Sequence, residues 1–219
     1  MKKIFASLIM ALSLSTSAMA SSKYELEFVD AFGTGCPDPS VISVEKAADG
    51  SFFIKADFDK NAGPDAFSAA TDAEVALART DCTIQYKIKL GSKYKLKQAS
   101  FSVDGEYSLT DEGGRAFFSI RQNVPGVVDP VFVTARYSAA TDPLDDIWYL
   151  EGNFRGLFSS DINYCGATIP IEVQVRGSAR HARNAQDDTF IAIFNGEGDI
   201  NARRGYRRIH CKPIFVPCE

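Results

Sequence analysis

From Thr83 to Leu90 the chain reads Thr-Ile-Gln-Tyr-Lys-Ile-Lys-Leu, with an apolar or aromatic side chain at every second position and a polar one between. Successive side chains of a strand leave opposite faces, so this period fits a strand with one face in a core and the other in water. The same alternation, or a short run of β-branched and aromatic residues, returns at 24–29, 40–45, 51–59, 95–107, 115–123, 131–137, 147–154, 168–176, 189–194 and 206–211, making eleven predicted strands. Turn signals stand between them, among them Asp49-Gly50, Asp104-Gly105, Gly113-Gly114, Thr141-Asp142-Pro143 and Asn195-Gly196. Short strands at this spacing predict an all-β chain folded as an antiparallel β-sandwich, a jelly-roll-like arrangement being one form of it. The one helical expectation is 69–78, where Thr71 and Glu74 have the spacing of a capping box ahead of Val75 and Leu77. No 20 to 50 residue repeat and no Pro/Gly/Ser-rich linker divides the chain, and 219 residues with 45% apolar content suit one core.

The first twenty residues set Lys2 and Lys3 before an apolar run over 4–14 and end in Ala18-Met19-Ala20, the layout of a secretory signal peptide. Cleavage is expected after Ala20, leaving 21–219 as a single secreted or periplasmic β-sandwich domain. The apolar run is too short for a permanent bilayer span and no later segment comes near one, so no membrane span is expected. No cysteine follows Ala20 to take a lipid, and no N-x-S/T sequon occurs. The whole chain sets 24 Lys and Arg against 28 Asp and Glu, a net charge of −4, and losing Lys2 and Lys3 takes this to −6. That balance gives no sign of a nucleic-acid partner. The bases are unevenly typed: through Thr110 all are lysines except Arg79, and beyond it all are arginines except Lys212.

Cys36, Cys82, Cys165, Cys211 and Cys218 all follow the predicted cleavage point, and none shows Cys-x-x-Cys spacing. In an oxidising compartment structural bridges are the default. The expected pairs are Cys36–Cys82 and Cys165–Cys211, each closing a loop worth roughly 4 kcal/mol of chain entropy, with Cys165–Cys218 as the rival to the second.

Around these cysteines stand Gly35-Cys36-Pro37, then Asp49-Gly50-Ser51 leading into a strand that ends at Phe58, then Ala62-Gly63-Pro64, Arg79-x-x-Cys82, Cys165-Gly166 and Arg207-Arg208-x-x-Cys211. In order and approximate spacing the chain resembles the secreted four-cysteine family catalogued as domain of unknown function 4360, over nearly all of 21–219. The resemblance implies a secreted, β-rich domain with two N-terminal and two C-terminal cysteines and implies no activity. The chain departs from the family pattern around 69–78 and in the tail 212–219, which adds Cys218.

No catalytic motif stands out, and no cofactor is expected. Acidic pairs of the kind a glycoside hydrolase needs are offered by Asp57/Asp59, Asp142/Asp145/Asp146, Asp187/Asp188 and Glu197/Asp199, all in or beside predicted turns, where solvated acids are common. The Asp142, Asp145 and Asp146 group also offers oxygen ligands for calcium, although no EF-hand loop is present; no metal ligand is assigned. His181 and His210 are too few and too far apart for a histidine metal site. Alternation sends Trp148 and Tyr149 to opposite faces, so one ring is free to stack on a sugar if it is left exposed. Arg204, Tyr206 and Arg208 share a strand face beside Arg203 and Arg207, while Arg176, Arg180 and Arg183 flank His181; either group suits the carboxylates or phosphates of an anionic polymer. The expectation is therefore a non-catalytic binding or structural protein, with Trp148, Tyr149, Arg204, Tyr206 and Arg208 as ligand residues. Its expected partner is a cell-envelope polysaccharide or another surface protein. A secreted hydrolase with a carboxylate pair, and an adhesin or inhibitor presenting a loop, are the alternatives.

Overall fold

The computed structural model describes residues 22–36, 38–59, 68–71, 74–124, 130–154, 162–182, 188–193 and 204–218, with backbone only at 57–59, 154 and 204–207. The predicted signal segment, Arg183, Asp187, Glu197, Asp199 and Arg203 lie outside the described residues. Twelve strands run in the order β1 (Tyr24–Phe32), β2 (Ile42–Lys46), β3 (Phe52–Asp59), β4 (Ser68–Ala70), β5 (Leu77–Leu90), β6 (Tyr94–Ser108), β7 (Arg115–Asn123), β8 (Val131–Ser138), β9 (Asp145–Phe154), β10 (Thr168–Arg180), β11 (Phe190–Ile193) and β12 (Arg204–Pro217). A short 3-10 turn, Pro39–Val41, leads into β2. Every strand pairing is antiparallel. One sheet has the order β1-β5-β10-β7-β8; the other has seven strands in the order β2-β3-β12-β6-β11-β4, with β9 also paired to β6.

The sheets close on each other through the residues that the alternation turns inward. Ile84, Tyr86 and Ile88 of β5, Ile169, Val173 and Val175 of β10, and Phe118 and Ile120 of β7 meet Ile54 of β3, Leu96 and Phe101 of β6 and Trp148 of β9 in one buried cluster. Aromatic pairs bridge the layers: Phe52 lies edge-on to Tyr86 at 5.5 Å, Tyr107 stacks on Tyr137 at 3.9 Å, and Trp148 tilts against Phe118 at 4.7 Å. This is the antiparallel sandwich that the alternation predicts.

Three local expectations are corrected. The described residues of 69–78 form no helix: Ala69 is buried and pairs with Ile191, while Leu77 and Ala78 already belong to β5. Thr71, the would-be cap, accepts from the Thr189 backbone N–H at 2.8 Å and donates to its carbonyl, so the hydroxyl completes a sheet edge. Asp104-Gly105 is no turn but part of β6, where Gly105 stands opposite Trp148 and a Cβ would come within 2.1 Å of the indole ring. The last strand passes Lys212-Pro213 and runs to Pro217. Pairing of β12 with β3 stops at Cys211, so among the described residues Pro213 pairs with β6 alone and its missing N–H interrupts no ladder on the β3 side.

Cys36 and Cys82 form the expected bridge, Cα to Cα 5.4 Å. The second bridge is Cys165–Cys218, Cα to Cα 6.1 Å, and the expected Cys165–Cys211 pairing is wrong. The extended strand supplies the reason. Cys211 points inward between Phe52 and Phe101 in register, whereas Cys218 lies seven positions on, roughly 23 Å along a strand. There the Cys218 N–H donates to the Lys93 carbonyl and Gly166 donates to the Tyr94 carbonyl, which brings the 162–167 turn alongside. Two disulfides fit an oxidising compartment, and among the described residues no helix is long and apolar enough to cross a membrane.

Candidate functional site

The sequence-selected residues separate onto different surfaces. Trp148 is 2% exposed, donates its indole N–H to the Glu106 carbonyl at 3.1 Å and packs on Phe118, so it belongs to the core and is no ligand platform. Tyr149, its neighbour, is 61% exposed on the outer face of the seven-stranded sheet, beside the exposed Ile147. Arg208 is on that face too: it lies two residues from His210, which pairs with Ser102, while Tyr149 pairs with Asp104 on the opposite side of β6. Its guanidinium sits 4.8 Å above the Phe53 ring, and Phe53 in turn stacks on His210. Arg204 and Tyr206 are in β12, but their side chains lie outside the described residues, as do those of Asp57 and Asp59.

Two of the acidic candidates are engaged in local hydrogen bonds. Asp142 accepts the Ser138 N–H and the Thr141 hydroxyl, each at 2.8 Å, and so closes the turn after β8. Asp146 accepts the Ile147 N–H. Among the described residues no three His, Cys, Asp or Glu side chains are grouped to hold a metal ion. The carboxyls with resolved shifts move down, the reverse of what a general acid needs: Glu27 is held low by Lys89 and Lys87, Glu45 by Lys55, Asp38 by Ser40 and Asp49 by Ser51.

The outer face of the five-stranded sheet is organised differently. Its register lays side chains out in rows across β5, β10, β7 and β8. The first row is Leu77, Arg180, Arg115, Ser138; the second is Arg79, Ser178, Phe117, Arg136. The third is Asp81, Arg176, Ser119, Thr134, and the fourth is Thr83, Gln174, Arg121, Phe132. From strand spacing and rise, these rows cover roughly 14 by 20 Å. Two hollows adjoin there. One of about 610 Å³ has Arg115, Phe117, Arg136, Ser178 and Arg180 in its lining; the next, about 350 Å³, has Arg121, Phe132, Gln174 and Arg176.

All six arginines of this face are exposed. Among the described residues none makes an ion pair within 4.0 Å, and Arg180 and Arg115 face each other directly in register. Directly opposed like charges on a sheet are destabilising. Among the described residues, Arg136 alone of the six has an aromatic partner, its guanidinium 5.3 Å from the Phe117 ring. The acids of the four rows are confined to Asp81, whose carboxylate takes the Thr34 hydroxyl, with Asp142 at the rim of the larger hollow. The other end of the same face is neutralised, since Lys87 and Lys89 both pair with Glu27.

Of this surface, Arg176 and Arg180 were legible as a basic pair, while Arg79, Arg115, Arg121, Arg136, Phe117 and Phe132 were missed. The signal that finds them is alternation read outward: Arg115-x-Phe117-x-Ser119-x-Arg121 and Phe132-x-Thr134-x-Arg136 put bases and rings on the solvent side of neighbouring strands. The uneven typing of the bases also acquires a location. Arginine-rich β7, β8 and β10 build this face, and Arg79, the lone arginine of the lysine-rich half, stands on it opposite Ser178.

No family model matches the chain and no curated protein does, so the resemblance to the four-cysteine family rests on its motifs. Among solved structures, similarity extends to carbohydrate-binding modules of the β-sandwich superfamily (8% identity, 79% of this chain and 56% of that one, TM-score 0.24). It also extends to the enzymatically active domain of tailspike protein 4 of bacteriophage CBA120 (14% identity, 85% of this chain and 19% of that one, TM-score 0.24). A third is a module described as specific for non-crystalline cellulose (12% identity, 76% of this chain and 84% of that one, TM-score 0.25). At such scores these likenesses carry no argument about ligand or site.

Proposed function

We propose that this protein is an exported, non-catalytic binding module that takes a polysaccharide chain across the outer face of its five-stranded sheet. The observation that carries the reading is the pair of adjoining hollows, about 610 and 350 Å³, lined by exposed guanidinium groups and by Phe117 and Phe132. An extended polymer needs a long, open surface with hydrogen-bond donors and apolar faces for its sugar rings, and a sheet presents both on a backbone that is already ordered before binding. Export is supported by the signal-like N-terminus and by two disulfides, and the same reading takes the chain as a member of the four-cysteine family it resembles.

Affinity electrophoresis in native gels containing neutral or acidic polysaccharides tests this. At least one polymer is expected to retard the protein. Ser178→Trp, which fills the larger hollow from a half-exposed position, relieves the retardation, while Tyr149→Ala on the opposite sheet leaves it intact. Absence of retardation by every polymer, or loss with Tyr149→Ala alone, overturns the reading.

A further inference from the structure

Resting on that reading of the site, we infer that the polysaccharide is anionic, its carboxylate or phosphate groups seated in the guanidinium forks of Arg115, Arg180, Arg136 and Arg176. The usual fate of a surface arginine is a pairing with a neighbouring acid, and this molecule shows that alternative on the same sheet face at Glu27, Lys87 and Lys89. In the arginine rows Asp81 stands opposite Arg176 in register, but among the described residues no carboxylate lies within ion-pair distance of Arg79, Arg115, Arg121, Arg136, Arg176 or Arg180. Placing Arg180 opposite Arg115 without a counter-ion opposes folding, and an anion between them reverses the sign of that term. Arg136 over Phe117 is held in place by the ring face while its N–H edge stays available.

Residue type sharpens the class. A lysine satisfies a diffuse need for positive charge, whereas arginine presents a planar fork that matches carboxylate and phosphate oxygens two at a time. The neutralised end of the face uses lysine and the open end uses arginine alone. Arg176 and Arg180, four residues apart on β10, stand roughly 13 Å from each other along the strand, and Arg115 and Arg121 roughly 20 Å, so the bases form a track instead of one pocket. A track of separated forks suits repeated charges on an extended chain. The phenyl rings between them suit sugar faces better than a phosphodiester backbone, which favours a polysaccharide over a nucleic acid.

Isothermal titration of the oxidised protein with polygalacturonate, its fully methyl-esterified form, phosphorylated dextran and duplex DNA separates the outcomes. Polygalacturonate or phosphorylated dextran, or both, is expected to bind at about 50 mM salt and to weaken at least roughly tenfold at about 500 mM. The two arms tell carboxylate from phosphate, and the methyl ester, with the same backbone and no charge, is not bound. Arg115→Gln with Arg180→Gln weakens binding at least roughly tenfold, and Arg115→Lys with Arg180→Lys falls between that variant and the parent. Equal binding of ester and free acid, still sensitive to Ser178→Trp, overturns the anionic ligand and leaves the binding-module reading standing. Failure of every polysaccharide, neutral ones included, removes that reading as well. Duplex DNA bound as tightly, with the same loss in the Gln variant, overturns the polysaccharide class.

Discussion

Tyr86 carries its hydroxyl into the middle of the sandwich, where it accepts a hydrogen bond from the Gln122 amide at 3.0 Å and the Cys211 thiol lies against it. Burial pushes both the phenol and the thiol well above their ordinary ranges, so both stay neutral and the core holds no charge there. Gln122 brings the cost of this arrangement, since its amide oxygen is buried without a hydrogen-bond partner among the described residues. Tyr86→Phe is therefore expected to destabilise by about 1–3 kcal/mol, because it strands the amide N–H as well. Tyr86→Phe with Gln122→Met removes both partners and is expected to return to within about 1 kcal/mol of the parent in urea unfolding. A double variant no more stable than Tyr86→Phe would show that the polar pair is worth its burial. At this scale the sequence was readable where one dimension suffices. The alternation that turns Tyr86 inward and Gln85 outward is local, but the meeting of Tyr86, Gln122 and Cys211 from three strands is not.

Among the elements, β1 and β5 show how charge is settled on one end of the five-stranded sheet. Glu27 of β1 takes Lys87 and Lys89 of β5, and the lysines hold its carboxyl below the ordinary value; Lys89 moves up in return. A depressed carboxyl contributes stability above its unfolded value and loses it as pH falls through the folded one. Acid titration of folding stability is thus expected to steepen below the ordinary glutamate range, and Glu27→Gln flattens part of that slope while leaving the neutral-to-alkaline limb in shape. An unchanged acid limb in the variant would mean that the ion pairs are silent in solution, a frequent outcome for exposed pairs. Seven of the elements were legible nearly to their ends, β7 fully so, because their alternation is unbroken. The failures share one cause. Ala69, Thr71 and Leu77 carry helix-compatible local signals, and Pro213 a strand-ending one, yet each is decided by a neighbour distant in sequence: Ile191, Thr189, Arg180 and Ala99.

The molecule as a whole divides its charge between two outer faces. The five-stranded sheet exposes arginine rows over two hollows, while the seven-stranded sheet shows a mixed surface of Tyr149, Asp104, Arg208, Lys55 and Glu45, with Lys55 and Glu45 paired. Half of this division was legible: the switch from lysine to arginine along the chain is visible, but assigning the arginines to one face requires the strand order β5-β10-β7-β8, which joins segments up to about a hundred residues apart. The two bridges act at this scale as well. Replacing Cys165 and Cys218 together by alanine is expected to cost about 2–5 kcal/mol, and replacing Cys211 by alanine leaves both bridges in peptide mapping under non-reducing conditions. Recovery of a Cys165–Cys211 linkage from the native parent would contradict the register of β12.

The inward-facing thiol gives oxidation an order of events. From Cys165, the loops to Cys211 and to Cys218 differ by seven residues, and closure entropy separates them by only roughly 0.1 kcal/mol, so a collapsed but unpaired chain has almost no preference between the two partners. Discrimination arises when β12 zips onto β6: that step withdraws Cys211 into the interior and delivers Cys218 to the turn that holds Cys165. Strand pairing before covalent closure is thereby the productive sequence, and a chain oxidised too early locks the last strand out of register.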